Sequence, residues 1–269
     1  MPRPIIGRVE SVLREGSLAG RSALVTGGGT GIGRATAELM ASLGARVAVA
    51  GRRLELLEET AAAIRADGGE CLPFACDVRE PEAAKELVGA VIGAYGSLDV
   101  LVNNAGGQFV KPAEEISHNG FRAVMRLNLD AVWELTRLAA VESMLPNGYG
   151  KVISVVLSPR RGIPGMFHSS AARAAVESMT RTLATEWGGR GVRLTCVAPG
   201  TIETDGWRGY GDTVEDVAAT IPLGRLGTPE EVAETIAFLA SPAGDFVTGT
   251  TFVIDGGVDN VDLPPGRSA

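Results

Sequence analysis

The sequence predicts an α/β fold, a single doubly wound parallel sheet of about seven strands with helices on both faces. Two patterns carry that expectation. Apolar runs of about five residues alternate with helix-patterned segments of about a dozen, the signature of strands joined by right-handed helical crossovers. The first apolar run, Ala23-Leu24-Val25, empties into Thr26-Gly27-Gly28-Gly29-Thr30-Gly31-Ile32-Gly33, and a helix-like segment Arg34–Leu43 follows directly. Size agrees: 269 residues with 45% apolar and 5% aromatic content suit one large core.

Glycines lodged between a strand and a helix leave backbone N–H groups free at the helix N-terminus, where a pyrophosphate can sit. Nothing structural requires so many glycines before one helix, so the turn reads as a dinucleotide site. Gly44 ends the helix, and Arg46-Val47-Ala48-Val49-Ala50 has the unbroken apolar character of a strand buried on both faces. The end of that strand decides the cofactor. An NAD site offers an acidic side chain to the adenosine ribose there, whereas this chain has Gly51-Arg52-Arg53. Guanidinium groups bind the 2′-phosphate that an acid would repel, so NADPH/NADP is expected.

The next helix spans Leu54–Ala66, and Glu70–Ala75 is the third strand, ending in Cys76-Asp77-Val78, where Asp77 can face the adenine. After the helix Pro81–Tyr95, the fourth strand Leu98–Val102 closes on Asn103-Asn104-Ala105-Gly106-Gly107, whose short side chains let the cofactor's sugars approach the backbone. Lys151–Val156 takes the fifth place. The helix Ser170–Trp187 leads to the sixth strand, Val192–Val197, and residues 201–220, with Trp207 and Tyr210, read as a substrate lid. Thr228-Pro229-Glu230-Glu231 opens the last long helix, Glu230–Ala240, and Thr251–Ile254 is the final strand. Residues 1–19 read as a surface arm, 20–260 as one dinucleotide-binding domain, and 261–269 as a C-terminal tail.

A net charge of −7, an isoelectric point near 5.1 and the lack of any basic run argue against nucleic acid as a partner. No apolar signal core and no run near the roughly twenty apolar residues of a membrane span are present, so a cytoplasmic protein acting on a small molecule is expected. Cys71, Cys76 and Cys196 form no CxxC pair and, being odd in number, no disulfide framework, and no metal site is expected.

Taken together, Thr26-x3-Thr30-Gly31-Ile32-Gly33, Asp77-Val78, Asn103-Asn104-Ala105-Gly106, Asn128, Pro199-Gly200-x3-Thr204 and Asp255-Gly256-Gly257 resemble the short-chain dehydrogenase/reductase family, in order and spacing, over nearly the whole chain. The resemblance implies a Rossmann fold and a homotetramer built on two long helices. It implies cofactor contacts from Gly27, Thr30, Gly31, Ile32 and Gly33 in the first turn, and from Arg52, Arg53, Asp77 and Val78 at the adenosine end. Asn103, Asn104, Ala105 and Gly106 would contribute at the fourth strand, and Pro199, Gly200, Ile202 and Thr204 near the nicotinamide. Asn128 would support a proton relay from the long helix.

The family's catalytic Tyr-x-x-x-Lys aligns with Ser169-Ser170-Ala171-Ala172-Arg173, and its catalytic serine position falls on Val156. Ser158, two places on, fills in only if Pro159-Arg160-Arg161 folds back; otherwise it starts a turn. His168-Ser169-x-Ala171-Ala172-Arg173-Ala174 and Asn103-Asn104-x-Gly106-Gly107-Gln108-Phe109 resemble the family's peroxisomal trans-2-enoyl-CoA reductases, which reduce a carbon–carbon double bond. A tyrosine of those relatives, four places after the arginine, is Glu177 here.

Such a reduction develops negative charge on the thioester oxygen, so the site must stabilise an enolate. Arg173, permanently charged and planar, suits the ribose hydroxyls and that oxyanion but cannot give up a proton. A serine hydroxyl is too weak an acid unless relayed, which casts Ser169 as a hydrogen-bond donor or simply a first-turn serine. His168 competes for the acid role, although a lone histidine at a helix start is commonly structural. Three readings follow: an NADPH-dependent enoyl-thioester reductase, an oxidoreductase or lyase acting on another activated alkene or carbonyl, and a non-catalytic NADPH-binding protein.

Overall fold

The computed structural model describes residues 13–158, 162–204 and 213–260. Most of the N-terminal arm, the loop 159–161, the central part of the expected lid with Trp207 and Tyr210, and the tail 261–269 lie outside the described residues. Seven strands, Ser22–Thr26 (β1), Arg46–Gly51 (β2), Glu70–Ala75 (β3), Val100–Asn103 (β4), Gly150–Val155 (β5), Val192–Pro199 (β6) and Thr250–Ile254 (β7), form one sheet. All neighbours are parallel in the order β3-β2-β1-β4-β5-β6-β7. The order reverses between β1 and β4. In a parallel sheet that switch point leaves a crevice beyond the strand carboxyl ends, because the crossovers depart to opposite faces.

Helices Gly31–Ser42 (α1), Leu54–Ala66 (α2) and Pro81–Tyr95 (α3) alternate with the first strands. A long helical run follows, made of His118–Met125 (α4), Ala131–Ala139 (α5) and Leu145–Asn147 (α6) joined by π-helical turns at Arg126–Asp130 and Ala140–Met144. Phe167–Trp187 (α7), Val214–Ala218 (α8) and Pro229–Ala240 (α9) complete the set. Alternate strand residues feed opposite cores, as pleating requires. Ala23, Val25, Val47 and Val49 pack with Met40 of α1, Leu57 and Ile64 of α2, and Ile236 of α9. Leu24, Ala48 and Ala50 pack with Leu87 and Val91 of α3 and Leu135 and Leu138 of α5.

Caps explain the boundaries. Pro81 starts α3 where its missing N–H costs nothing, and Gly96 ends it at φ 80°, a left-handed position that suits glycine. Thr228 and Glu231 form a complete capping box at α9, and Arg225 forks onto Glu231 at 2.5 and 2.9 Å. Lys151 on β5 is buried beneath the other end of α9, where it donates to the Leu239 and Ser241 carbonyls and pairs with Asp245 at 2.8 Å.

Two expectations are corrected. Residues 13–19 do not simply lie on the surface, because Leu18 is fully buried in the α1 core and its N–H donates to the Leu43 carbonyl at 2.9 Å. The helix expected from Ser170 begins at Phe167, which places His168 and Ser169 inside its first turn.

Candidate cofactor and reaction site

A groove of about 400 Å³ lies at the carboxyl ends of β1, β2 and β3, across the switch point to β4. Its floor is the glycine turn. Gly27 takes φ 68°, and a Cβ at Gly33 would stand 2.2 Å from the Gly27 carbonyl oxygen and 2.5 Å from Asn104 Nδ2. Only glycine allows the turn to close that tightly onto the start of α1. Thr30 precedes α1 without a side-chain cap, and the first turn carries no acidic residue. Its N–H groups are therefore presented to the groove with the positive end of the helix dipole behind them, a cradle for a pyrophosphate.

The turn is fixed from β4. The Thr26 hydroxyl accepts from the backbone N–H groups of Asn104 and Ala105, both at 3.0 Å, while Asn104 Nδ2 donates to the Thr26 carbonyl at 2.9 Å. Asn104, Ala105 and Gly106 line the groove. Asn103 does not. Its side chain is buried on the other side, donating to Thr136 Oγ1 at 3.1 Å and Ser154 Oγ at 3.4 Å, so it ties β4 to α5 and β5.

Arg52, Arg53, Asp77 and Val78 line the adenosine end, joined by Leu56, Cys76 and Arg79, none of them among the expected cofactor contacts. Arg52 and Arg53 are exposed, and among the described residues no carboxylate stands within 4 Å of either. Arg79 forks onto Asp77 with Nε 2.9 Å from Oδ1 and Nη2 2.5 Å from Oδ2. The fork holds the Asp77 carboxyl down at about 2. Burial pushes the Cys76 thiol up to about 11, which leaves it unreactive near neutral pH.

Beyond Gly106 stands a polar cluster. Asn128 sits in the first π-helical turn of the long helix, and its side chain clamps Gly107, accepting from the N–H at 3.1 Å and donating to the carbonyl at 2.8 Å. The opened helix thus receives an amide that a regular helix interior would not favour. Arg173 Nη1 donates to the carbonyls of Val155 and Val156 at 2.9 and 3.1 Å, and Nε lies 3.3 Å from Ser169 Oγ. Its other nitrogen, Nη2, faces Gly106, where an added Cβ would come within 2.8 Å of it and 3.1 Å of Asn128 Oδ1. The Ser169 hydroxyl donates to Gln108 Oε1 at 3.1 Å, and the His168 ring packs on Phe109 with centroids 4.4 Å apart. The two reductase-like segments therefore touch each other residue for residue.

Several anticipated residues stand apart from the groove. Arg173, Ser169, His168, Asn128, Pro199 and Gly200 do not line it, whereas Thr204 does. Ile202 lines a smaller cavity of about 90 Å³ with Arg225, Glu231 and Asp255. Ser158 donates to Asp255 Oδ2 at 2.5 Å, and that carboxylate also accepts from the N–H groups of Gly257 and Asp259. His168 is fully buried with neither ring nitrogen hydrogen-bonded among the described residues, and burial lowers its pKa. A neutral imidazole sealed from water is poorly placed to supply a proton.

Residues 27–259 match the protein family described as "Enoyl-(Acyl carrier protein) reductase". The chain is 39% identical to a probable 2,4-dienoyl-CoA reductase, (2E)-enoyl-CoA-producing, of Bacillus subtilis, over 88% of this chain and 96% of that one. It is 43% identical to a citronellol catabolism dehydrogenase of Pseudomonas aeruginosa, which superposes with a TM-score of 0.84 over 93% of this chain and 100% of that one. A Burkholderia cenocepacia short-chain dehydrogenase solved in complex with NADP is 31% identical, with a TM-score of 0.85 over 90% of this chain and 99% of that one.

Proposed function

The chain is an oxidoreductase of the short-chain dehydrogenase/reductase family, and within it we propose that it uses NADPH to reduce a carbon–carbon double bond conjugated to a thioester, as in a 2,4-dienoyl thioester. The observation that carries the reading is the cluster in which Gln108 and Phe109 of one reductase-like segment meet Ser169 and His168 of the other, beside Arg173. Relatives named 2,4-dienoyl-CoA reductase support a diene, where the sequence resemblance alone pointed to trans-2-enoyl thioesters; both share the conjugated carbonyl.

The residues suit the cofactor. The uncapped start of α1 would take the pyrophosphate, Arg52 and Arg53 the 2′-phosphate, and Asn104 to Gly106 the sugars, while the bound nicotinamide would supply a hydride. Negative charge then accumulates on the thioester oxygen, and that is where this chain's residues act. Hydrogen bonds to Val155, Val156 and Ser169 hold the Arg173 guanidinium, and the missing side chain at Gly106 leaves room for Nη2 beside the Gly106 backbone at the edge of the groove. Asn128 keeps the Gly106-Gly107 backbone in place. Ser169, committed to Gln108, orients that amide and Arg173 rather than acting as an acid. Pro199, Gly200, Ile202 and Thr204 remain assigned to the nicotinamide end.

The chain is also proposed to be a cytoplasmic homotetramer. Exposed Trp133 and Val141 on the long helical run and the fully exposed Phe246 just before β7 support burial against further copies, and light scattering tests it. Among the described residues no helix is long and apolar enough to cross a membrane.

The test is NADPH oxidation with 2,4-dienoyl thioesters, trans-2-enoyl thioesters, ketones and citronellal, and NADP+ reduction with citronellol, each product identified by mass. Turnover confined to the thioesters supports the reading. Turnover of the alcohol or aldehyde alone replaces it with the activity named for the Pseudomonas aeruginosa protein.

A further inference from the structure

The adenosine end of the groove holds one carboxylate among its guanidinium groups, and that combination presents a problem. Asp77 would repel a 2′-phosphate, which carries a charge of about −1.5 to −2. Its position is set by the backbone: the Asp77 carboxylate accepts from the Arg79 N–H at 3.1 Å and its carbonyl accepts from the Glu80 N–H at 3.0 Å. Arg126 fixes the same segment through the Arg79 carbonyl and Glu80. The turn therefore does not depend on the Arg79 side chain. That side chain nonetheless lies along the groove wall and grips both carboxylate oxygens through Nε and Nη2. Arg52 is close enough for its charge to act on the same carboxylate.

We propose that Arg79 is a specificity-determining residue for the cofactor, which neutralises Asp77 and adds a third guanidinium to Arg52 and Arg53 around the 2′-phosphate. The proposal rests on the reading that this site selects NADPH. With Arg79 in place, three cations face one carboxylate at the adenosine end. Without it, two cations face a bare carboxylate, and the net charge offered to the phosphate falls from two to one. A ligand lacking the phosphate has little to lose, because the adenine amino group prefers an acceptor that Asp77 offers with or without its partner.

The test compares 2′,5′-ADP with 5′-AMP by titration calorimetry at low ionic strength, with no reaction required. Wild type should prefer 2′,5′-ADP at least tenfold. Arg79→Leu should cut that ratio at least fivefold with 5′-AMP affinity within twofold of wild type. Arg79→Lys should restore most of the preference, and adding Asp77→Asn to Arg79→Leu should restore part of it. Asp77→Asn alone should raise the ratio, a second arm should Arg79→Leu fold poorly. At about 1 M salt the differences should shrink. A wild type that prefers 2′,5′-ADP while Arg79→Leu keeps the ratio overturns the proposal and leaves the NADPH reading standing. Equal weakening of both ligands with a lower melting temperature assigns Arg79 to the turn alone. A wild type without preference overturns the NADPH reading and the proposal with it.

Discussion

Arg173→Ala should lower kcat by about two orders of magnitude, which is roughly 2.7 kcal/mol of transition-state stabilisation. The structure also sets a second, separate cost. Arg173 Nη1 bridges the Val155 and Val156 carbonyls at 2.9 and 3.1 Å, and Nε reaches Ser169 at 3.3 Å. Charge-assisted bonds to a carbonyl contribute about 1.5–3 kcal/mol each, but carbonyls at the strand's end regain water when the guanidinium leaves, so a net loss of about 2 kcal/mol is reasonable. In a domain of this size that lowers Tm by about 4–8 °C. Steady-state kinetics and a thermal melt on one purified variant separate the two costs. Arg173→Lys keeps the charge but has no planar fork, so it should recover part of kcat and little of Tm. A variant whose Tm falls while kcat stays at the wild-type value would refute the reasoning, leaving Arg173 as a tie between α7 and the end of β5.

Other outcomes follow from the same geometry. Arg52→Ala with Arg53→Ala should remove an NADPH preference over NADH of at least tenfold, about 1.4 kcal/mol, and high salt should narrow the wild-type gap; equal wild-type affinities contradict this. Gly33→Ala places a Cβ 2.2 Å from the Gly27 carbonyl, so it should weaken NADPH and NADH alike by more than tenfold in direct binding. Acid should destabilise the fold through Asp77, Glu134 and Glu231, whose carboxyls are held low by hydrogen bonds from Arg79, Arg137 and Arg225. Asp255 joins them, since hydrogen bonds from Ser158, Gly257 and Asp259 outweigh the upward push of burial. A carboxyl depressed in the folded state contributes stability that is complete above its unfolded pKa near 4 and is lost as pH falls toward 2. Urea melts from pH 5 down to pH 2 should show that decline, and Asp77→Asn should flatten part of it.

Much of the fold was legible because local rules and tertiary packing agree. The bounds of α2, β3 and α3 follow directly from sequence, where Pro81 and Gly96 punctuate a strong helical period. The α7 start is displaced because Phe167 and His168 are held by ring contacts with Phe121 and Phe109, which no local signal announces. The two π-helical turns in the long helix are also hidden from a pattern of 3.6 residues. Of the neighbouring asparagines, Asn104 faces the groove and Asn103 the core, a distinction set by which side of β4 each leaves. Arg79 carries no local signal for a different reason. Its importance lies in pairing with Asp77, and a charge two residues away along a turn looks like ordinary surface until the fork is seen.

The central claim is that hydride is delivered to a thioester-conjugated carbon–carbon double bond. NADPH carrying deuterium at its transferable position, turned over with a 2,4-dienoyl thioester and analysed by mass spectrometry, tests it most directly. The account predicts a monounsaturated thioester with one deuterium on carbon and an intact carbonyl, and Arg173→Ala forming the same product about a hundredfold more slowly. Recovery of unchanged diene, or of deuterium at the former thioester carbonyl carbon with both double bonds intact, would contradict it.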